Sequence, residues 1–416
     1  MDHAMFASRT RYLHAFLAPV ALLALASPLS AETRSGYVAQ KLPLEAPAVG
    51  LAFDAHGALW VLEEAGFGNN VAHLRPMAPD GSFGAAVEIE GDDPNNFFVG
   101  GMAYDPLADR LLITDNTADG RLYAVADGVR QTLATGLSAI AGVAVRSTGE
   151  IFVSTALGPG QGGVFQVDRQ TGAASPVLGG LDFGAGLAFD NAGDLLVQDA
   201  AATAPYLGRL RRVPISQTPG GLSFGQPTPV IDAASAAAGV LVDSEGDVFV
   251  TGRGGVYQLS GEPAMESAFF SDDNPQLFAT AITLSPDATP FEPFSGPARR
   301  VLAVADYGFA IEQPAITLLS PAAPEDFNSS GQVDAGDLAV WSQSFGLSPA
   351  GPAIGDADGD GIVAGADLLR WQQSYGASVL LDVSPAQPPV TAVPEPPFCP
   401  FLAFFVLFAW QNRARR

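Results

Sequence analysis

Two short stretches near the carboxyl end have the residue types and spacing of metal-binding chemistry. Residues 326–337 read DFNSSGQVDAGD and residues 356–367 read DADGDGIVAGAD, with equivalent positions 30 residues apart. Calcium takes about six to eight oxygen ligands at flexible geometry. A twelve-residue calcium loop therefore places acids or amides at positions 1, 3, 5, 9 and 12, a backbone carbonyl at 7 and Gly at the sharp turn of position 6. In the first stretch these are Asp326, Asn328, Ser330, the Gln332 carbonyl, Asp334 and Asp337 around Gly331. In the second they are Asp356, Asp358, Asp360, the Ile362 carbonyl and Asp367 around Gly361, with a water expected beyond Ala364. Two calcium ions are expected, and the second loop, with four carboxylates against three, should bind the more tightly where ligand charge decides.

A sparser set of acids recurs at long range. Glu63, Asp115, Asp199 and Asp306 end equivalent apolar runs, with Thr155 and Gly252 in the two remaining copies. Such residues have two chemistries open to them. They can cap turns by accepting from nearby backbone N–H groups, as the same residue types do at Asp54, Asp105, Asp190 and Asp243. Alternatively, a ring of acids at one height can hold a divalent metal.

The elements that must position these residues follow from periodicity. Each calcium loop runs into a helix, DLAVWSQSFG and DLLRWQQSYG, in which Leu338, Trp341 and Phe345 align with Leu368, Trp371 and Tyr375 as one apolar face. SPAAPE and SPAGPAIG precede the loops and cannot form entering helices. Loop plus exiting helix, twice over with Asp at position 12, resembles a type I dockerin covering residues 325–376. That resemblance implies two calcium ions and a cohesin-like or polysaccharide-associated partner. At loop positions 10 and 11 this chain has Ala335 and Gly336, then Gly365 and Ala366, where cellulosomal dockerins commonly carry a hydroxyl pair.

From about residue 36 to 321 one phrase recurs: small residue, Gly, apolar alternation, polar turn and a second apolar run. It appears as VGLAFDAHGALWVLE, GGMAYDPLADRLLITD, AGVAVRSTGEIFVST, AGLAFDNAGDLLVQD, AGVLVDSEGDVFVTG and a degenerate TAITLSPD with RVLAVAD. The copies start about 40 to 53 residues apart, the length of a four-stranded propeller blade. Six copies predict six blades. The orphan strand GYVAQKLPL at 36–44 is expected to close the ring on the last blade, leaving no long unpaired edge. The repeats resemble those of NHL-type propellers. The acids resemble the sites of gluconolactonase and regucalcin-like propellers, which implies carboxylates and Asn side chains holding one divalent ion. Glu63 and Asn116 have the right residue types. A streptogramin-lyase-like site would want a catalytic His, whereas His56 falls in an expected hairpin turn and His73 on a strand. No paired-carboxylate glycosidase constellation can be placed.

The ends read as address labels. Arg9 and Arg11 precede an apolar run to Leu29 and the small residues Ser30 and Ala31, the pattern of a signal peptide over 1–31. The lone Cys399 forbids an intramolecular disulfide. A Pro-rich linker over 381–392 leads to residues 393–416, where Val393, Pro394, Glu395 and Pro396 precede the thirteen apolar residues Phe398 to Trp410 and a basic end. This order resembles the PEP-CTERM sorting signal, which implies an exosortase-type protease and a Gram-negative-type envelope, with at least transient membrane contact. A formal net charge of −24 argues against nucleic acid.

The sequence thus predicts a mainly β protein, a six-bladed β-propeller over 32–321 with a small α-helical dockerin-like calcium module over 322–380. Its leading functional expectation is an exported, calcium-binding cell-surface or extracellular-matrix protein whose propeller is a recognition scaffold rather than an enzyme. The alternatives are a divalent-metal-dependent propeller hydrolase or lactonase, and a dockerin-bearing component of polysaccharide degradation.

Overall fold

A computed structural model describes residues 32–34, 36–64, 71–78, 81–92, 99–203, 207–234, 238–261, 264–271, 279–286, 300–307 and 313–380. The signal-peptide-like segment, the Pro-rich linker and the sorting motif Val393–Pro396 lie outside these residues.

Six antiparallel sheets form a six-bladed propeller, as the repeat predicted. The first strands of the blades are Ala48–Phe53, Val99–Asp105, Ile140–Val145, Phe183–Phe189, Val240–Val242 and Ala279–Leu284. The second strands are Leu59–Glu64, Arg110–Asp115, Ile151–Thr155, Leu195–Ala200, Val248–Gly252 and Leu302–Asp306. Each second strand is flanked by its own blade's strands and covered on both faces by neighbouring blades, which is why runs such as Leu195–Ala200 are buried at every position rather than alternately. The apolar core is distributed between blades. Leu51, Leu59 and Val61 of blade one meet Ala303, Ile316 and Leu318 of blade six, and equivalent clusters fill the other gaps.

The ring closes as expected. Tyr37–Pro43 pairs antiparallel with Ala315–Pro321 as the outermost strand of blade six, in register from Tyr37 opposite Pro321 to Pro43 opposite Ala315. Two features go beyond the repeat. Glu32–Thr33 adds a fifth strand to blade five, opposite Ser271 and Phe270, so residues 32–43 stitch blade five to blade six. In blade four, a hairpin of Ile215–Thr218 and Gly221–Phe224 is inserted before the outer strand, and Phe224 stacks edge-on against buried Phe152.

After Pro321 the chain enters a small unit of two loop–helix repeats, α1 (Ala335–Ser344) and α2 (Gly365–Ser374). Its core contains Ala323, Phe327, Val333, Ala357 and Trp371. The repeats are tied reciprocally: Trp341 Nε1 donates to the Ala364 carbonyl and Trp371 Nε1 to the Asp334 carbonyl, each at 2.9 Å. The expected apolar faces stop at the Trp residues. Phe345 and Tyr375 lie just past the helix ends in extended conformation, are largely exposed, and stack edge-on against Trp341 and Trp371.

Candidate functional site

The acids Glu63, Asp115, Asp199 and Asp306 all lie at the ends of second strands, opposite Ala48, Val99, Gly184 and Ala279 at the starts of first strands. They therefore occupy one face of the disk, and each is almost fully buried. The structure does not bring them together. Among the described residues, only Asp243 with Glu245 and Asp247, and Asp356 with Asp358 and Asp367, place three acidic oxygens within 4.8 Å of one another. Three of the four have a partner close by. Asp199 Oδ1 accepts from the Asp182 and Phe183 amides at 3.1 and 2.9 Å, and its carboxylate pairs with Arg209. Glu63 lies 3.6 Å from Arg75 Nε, and Asp306 lies 3.7 Å from Lys41 Nζ on the closing strand. Burial pushes the Glu63 and Asp199 carboxyls up, with Arg75 and Arg209 opposing the shift. Asp199 thus caps a turn and pairs with Arg209, while Glu63 and Asp306 each lie beside one cation.

The hairpin turns behave as their residue types dictate. Asp54 accepts from the His56 and Ala58 amides, Asp190 from Ala192 and Asp194, and Asp243 from Glu245 and Asp247. His56 sits in the first of these turns, and His73 pairs opposite Glu63 on the third strand of blade one.

The residue that sequence reasoning missed is one position further along. Glu64 is 6% exposed, and its backbone N–H is tied to the Pro47 carbonyl at 2.9 Å. Its Oε2 accepts a 2.8 Å hydrogen bond from the Tyr307 hydroxyl of blade six. Burial raises the Glu64 carboxyl to about 7, with the Tyr307 hydrogen bond pulling the other way. In the repeat alignment this register reads Glu64, Asn116, Ala156, Ala200, Arg253 and Tyr307. Its polar members in the adjacent blades six, one and two are Tyr307, Glu64 and Asn116, and Asn116 is also buried. The signal was the Glu-Glu doublet, in which only the first acid matched the repeat. A buried carboxyl poised near neutrality and oriented by a donor from another element is the arrangement of a general acid–base group.

The C-terminal loops have the expected geometry around Gly331 and Gly361, at φ +87° and +85°. Asp337 and Asp367 play matching parts. Asp337 accepts from the Asn328 and Asp334 amides, and Asp367 from the Ala357, Asp358 and Ala364 amides. Asp326 accepts from Ser330 and Gly331, and Asp356 from Gly359 and Gly361, so all four carboxylates turn into their loops and are buried. Burial pushes Asp326 up, and the charges of Asp337 and Asp334 add to it. Asp334 Oδ1 caps α1 through the Gly336 amide. Asp360 Oδ1 accepts from Ile362, and the Gln332 carbonyl accepts from the Ser330 hydroxyl.

No protein-family model matches the sequence, and no curated protein matches it. Solved structures do resemble the fold. One described as a putative gluconolactonase is 16% identical, with 69% of this chain and 93% of that one covered and a TM-score of 0.50. A gluconolactonase from Xanthomonas campestris is 15% identical, with coverage of 71% and 95% and a TM-score of 0.50. A calcium-binding regucalcin from Agrobacterium tumefaciens is 18% identical, with coverage of 68% and 94% and a TM-score of 0.50. At these identities the likeness shows the fold, a six-bladed propeller. The expectation that the propeller is a non-enzymatic recognition scaffold is corrected by these neighbours. The architecture is one found among gluconolactonases, and its acidic face carries the hydrogen-bonded Glu64–Tyr307 pair.

Proposed function

We propose that the propeller is a lactone hydrolase whose working face lies at the ends of the second strands in blades six, one and two. The observation that carries this reading is the Glu64–Tyr307 hydrogen bond, which joins two blades at the acidic face. The gluconolactonase propellers of the same fold supply the substrate class. In the proposed reaction the Glu64 carboxylate takes a proton from water as the water oxygen adds to the lactone carbonyl. Collapse of the tetrahedral adduct breaks the ring C–O bond, and the proton passes from Glu64 to the departing alkoxide. The product is a hydroxy acid, and Glu64 is ionised again. Tyr307 fixes the carboxyl and limits how far burial raises it. No step runs through a metal held by Glu63, Asp115, Asp199 and Asp306, because their oxygens do not converge.

The test is hydrolysis of five- and six-membered sugar lactones by the full chain, followed by pH-stat. Glu64→Gln should lower kcat/KM by about 10²-fold or more, the scale of a general-base contribution. A wild-type protein inert across that panel would remove the reading.

For the C-terminal unit we propose a dockerin-like calcium module over 322–380, with one ion in each loop. Asp326, Asn328, Ser330, the Gln332 carbonyl, Asp334 and Asp337 would hold the first. Asp356, Asp358, Asp360, the Ile362 carbonyl and Asp367 would hold the second. The convergence of Asp356, Asp358 and Asp367 oxygens supports this reading, as does the hard, oxygen-rich donor set of both loops. Calorimetric titration of the full chain should find two calcium sites, one of which is lost in Asp356→Ala.

The leader-like and tail-like ends support placing this enzyme outside the cytoplasm, with an exosortase-type protease acting on the tail and a cohesin-like or polysaccharide partner for the module. Mass spectrometry of the protein from cell envelopes would reveal whether residues beyond Pro396 are removed.

A further inference from the structure

The propeller and the loop–helix unit are joined without a spacer. The last propeller strand ends at Pro321, and Ala323 already belongs to the buried core of the unit. Between them the Ala322 amide donates to the Gly36 carbonyl at 2.8 Å, extending the pairing of the closing strand past its last regular pair. Beyond this joint the first loop turns back onto the same strand. A Cβ at Gly331 would lie 2.8 Å from Leu380 Cγ and 3.0 Å from Val38 Cγ1, so the turn of the loop rests directly on the closing strand and on the end of the unit. Residues following α2 brace that turn from the other side. Val379 N–H and the Ser378 hydroxyl both donate to the Gly331 carbonyl, and the Val333 amide donates to the Ala377 carbonyl. Val38 and Val379 are both buried.

We infer that the C-terminal unit is a latch on the propeller ring: its first loop, clamped by residues 376–380, packs on Val38 and holds the closing strand Tyr37–Pro43 against blade six. The consequence reaches the proposed site. From the closing strand the chain runs straight into blade one, with the Leu44 amide tied to the Pro314 carbonyl and the Glu64 amide tied to the Pro47 carbonyl. Glu64 and Tyr307 meet across the same junction of blades six and one. Release of the latch therefore loosens the elements that hold the pair together. That enzymatic consequence rests on the lactonase reading; the latch itself does not.

The experiment is amide hydrogen exchange on the full chain, comparing wild type with Trp371→Ala, which removes a core side chain of the unit and its bond to the Asp334 carbonyl while leaving every propeller residue and every calcium-ligating side chain in place. Peptides over 335–344 report the unit, those over 37–43 the closing strand, and those over 151–155 a distant blade. The expected result is that protection falls by about tenfold or more over 37–43 together with 335–344, while 151–155 is unchanged. Should Trp371→Ala leave the helices protected, Gly331→Ala presses on Val38 and Leu380 directly and should deprotect 37–43 alone. Protection over 37–43 that stays at the wild-type level, when the helices have lost theirs or when Gly331→Ala is present, overturns the latch. Intact exchange coupling in a protein that hydrolyses no lactone removes the lactonase reading and leaves the latch standing.

Discussion

Glu64 makes the stability of the propeller depend on pH in a direction opposite to that of a salt-bridged acid. Its folded-state value of about 7 lies above the ordinary 4.5, so the folded protein holds a proton between these values that the unfolded chain has released. For this group stability is greatest below about 4.5, falls as pH rises towards 7 and is lowest above it, a span of about 3 kcal/mol at most. Glu64→Gln keeps an acceptor for Tyr307 and removes the charge. It should unfold at higher denaturant than wild type at pH 8 and match it near pH 4. In Tyr307→Phe the bond that lowers the carboxyl is gone, so the rise of lactone hydrolysis with pH should move to higher pH. The repeat made other acids prominent. Glu63, Asp115, Asp199 and Asp306 stand out because they repeat at the end of the second strand. Glu64 matters because it departs from its repeat, and its partner Tyr307 is remote in sequence, a pairing that only ring closure creates.

Between elements, hydroxyls near the ends of three second strands tie down the starts of first strands, in the same blade or the next. Thr114 Oγ1 donates to the Ala141 carbonyl at 3.1 Å, and Thr251 Oγ1 accepts from the Gly239 amide at 2.8 Å. Ser154 accepts from the Gly142 amide and donates to the Ala185 carbonyl of the next blade. Gly142 has no room for a side chain, since a Cβ there would lie 2.2 Å from the Ala185 oxygen. Ser154→Ala takes the partner from a part-buried N–H and a part-buried carbonyl and should cost about 1 kcal/mol, read from urea midpoints at unchanged slope. The blades and both helices were legible because their periods are 2 and 3.6 over several copies within this one chain. The hairpin of blade four was not, although the 53-residue interval from Ala185 to Ala238, the longest between copies, is the room it occupies. Phe345 and Tyr375 fit the helical spacing but fall beyond the last helical residue, where that spacing no longer predicts burial.

At the scale of the molecule, the ring depends on residues 32–43. Removing residues 32–43 would leave Ala315–Pro321 as an unpaired, largely buried-type edge, and such edges recruit other strands. The truncated chain should self-associate more than the full chain, as light scattering at equal concentration would detect. The strand that completes the last blade is also among the earliest to leave the ribosome, whereas its partner emerges only after every other blade. The entropy of closing so long a loop grows slowly with length, so the delay costs little free energy. It costs time, and through that time the edges of blades five and six stay open to whatever other strand arrives first. For this protein the hazardous interval is therefore synthesis itself, and the yield of correctly closed rings should depend on how quickly the carboxyl end follows the amino end.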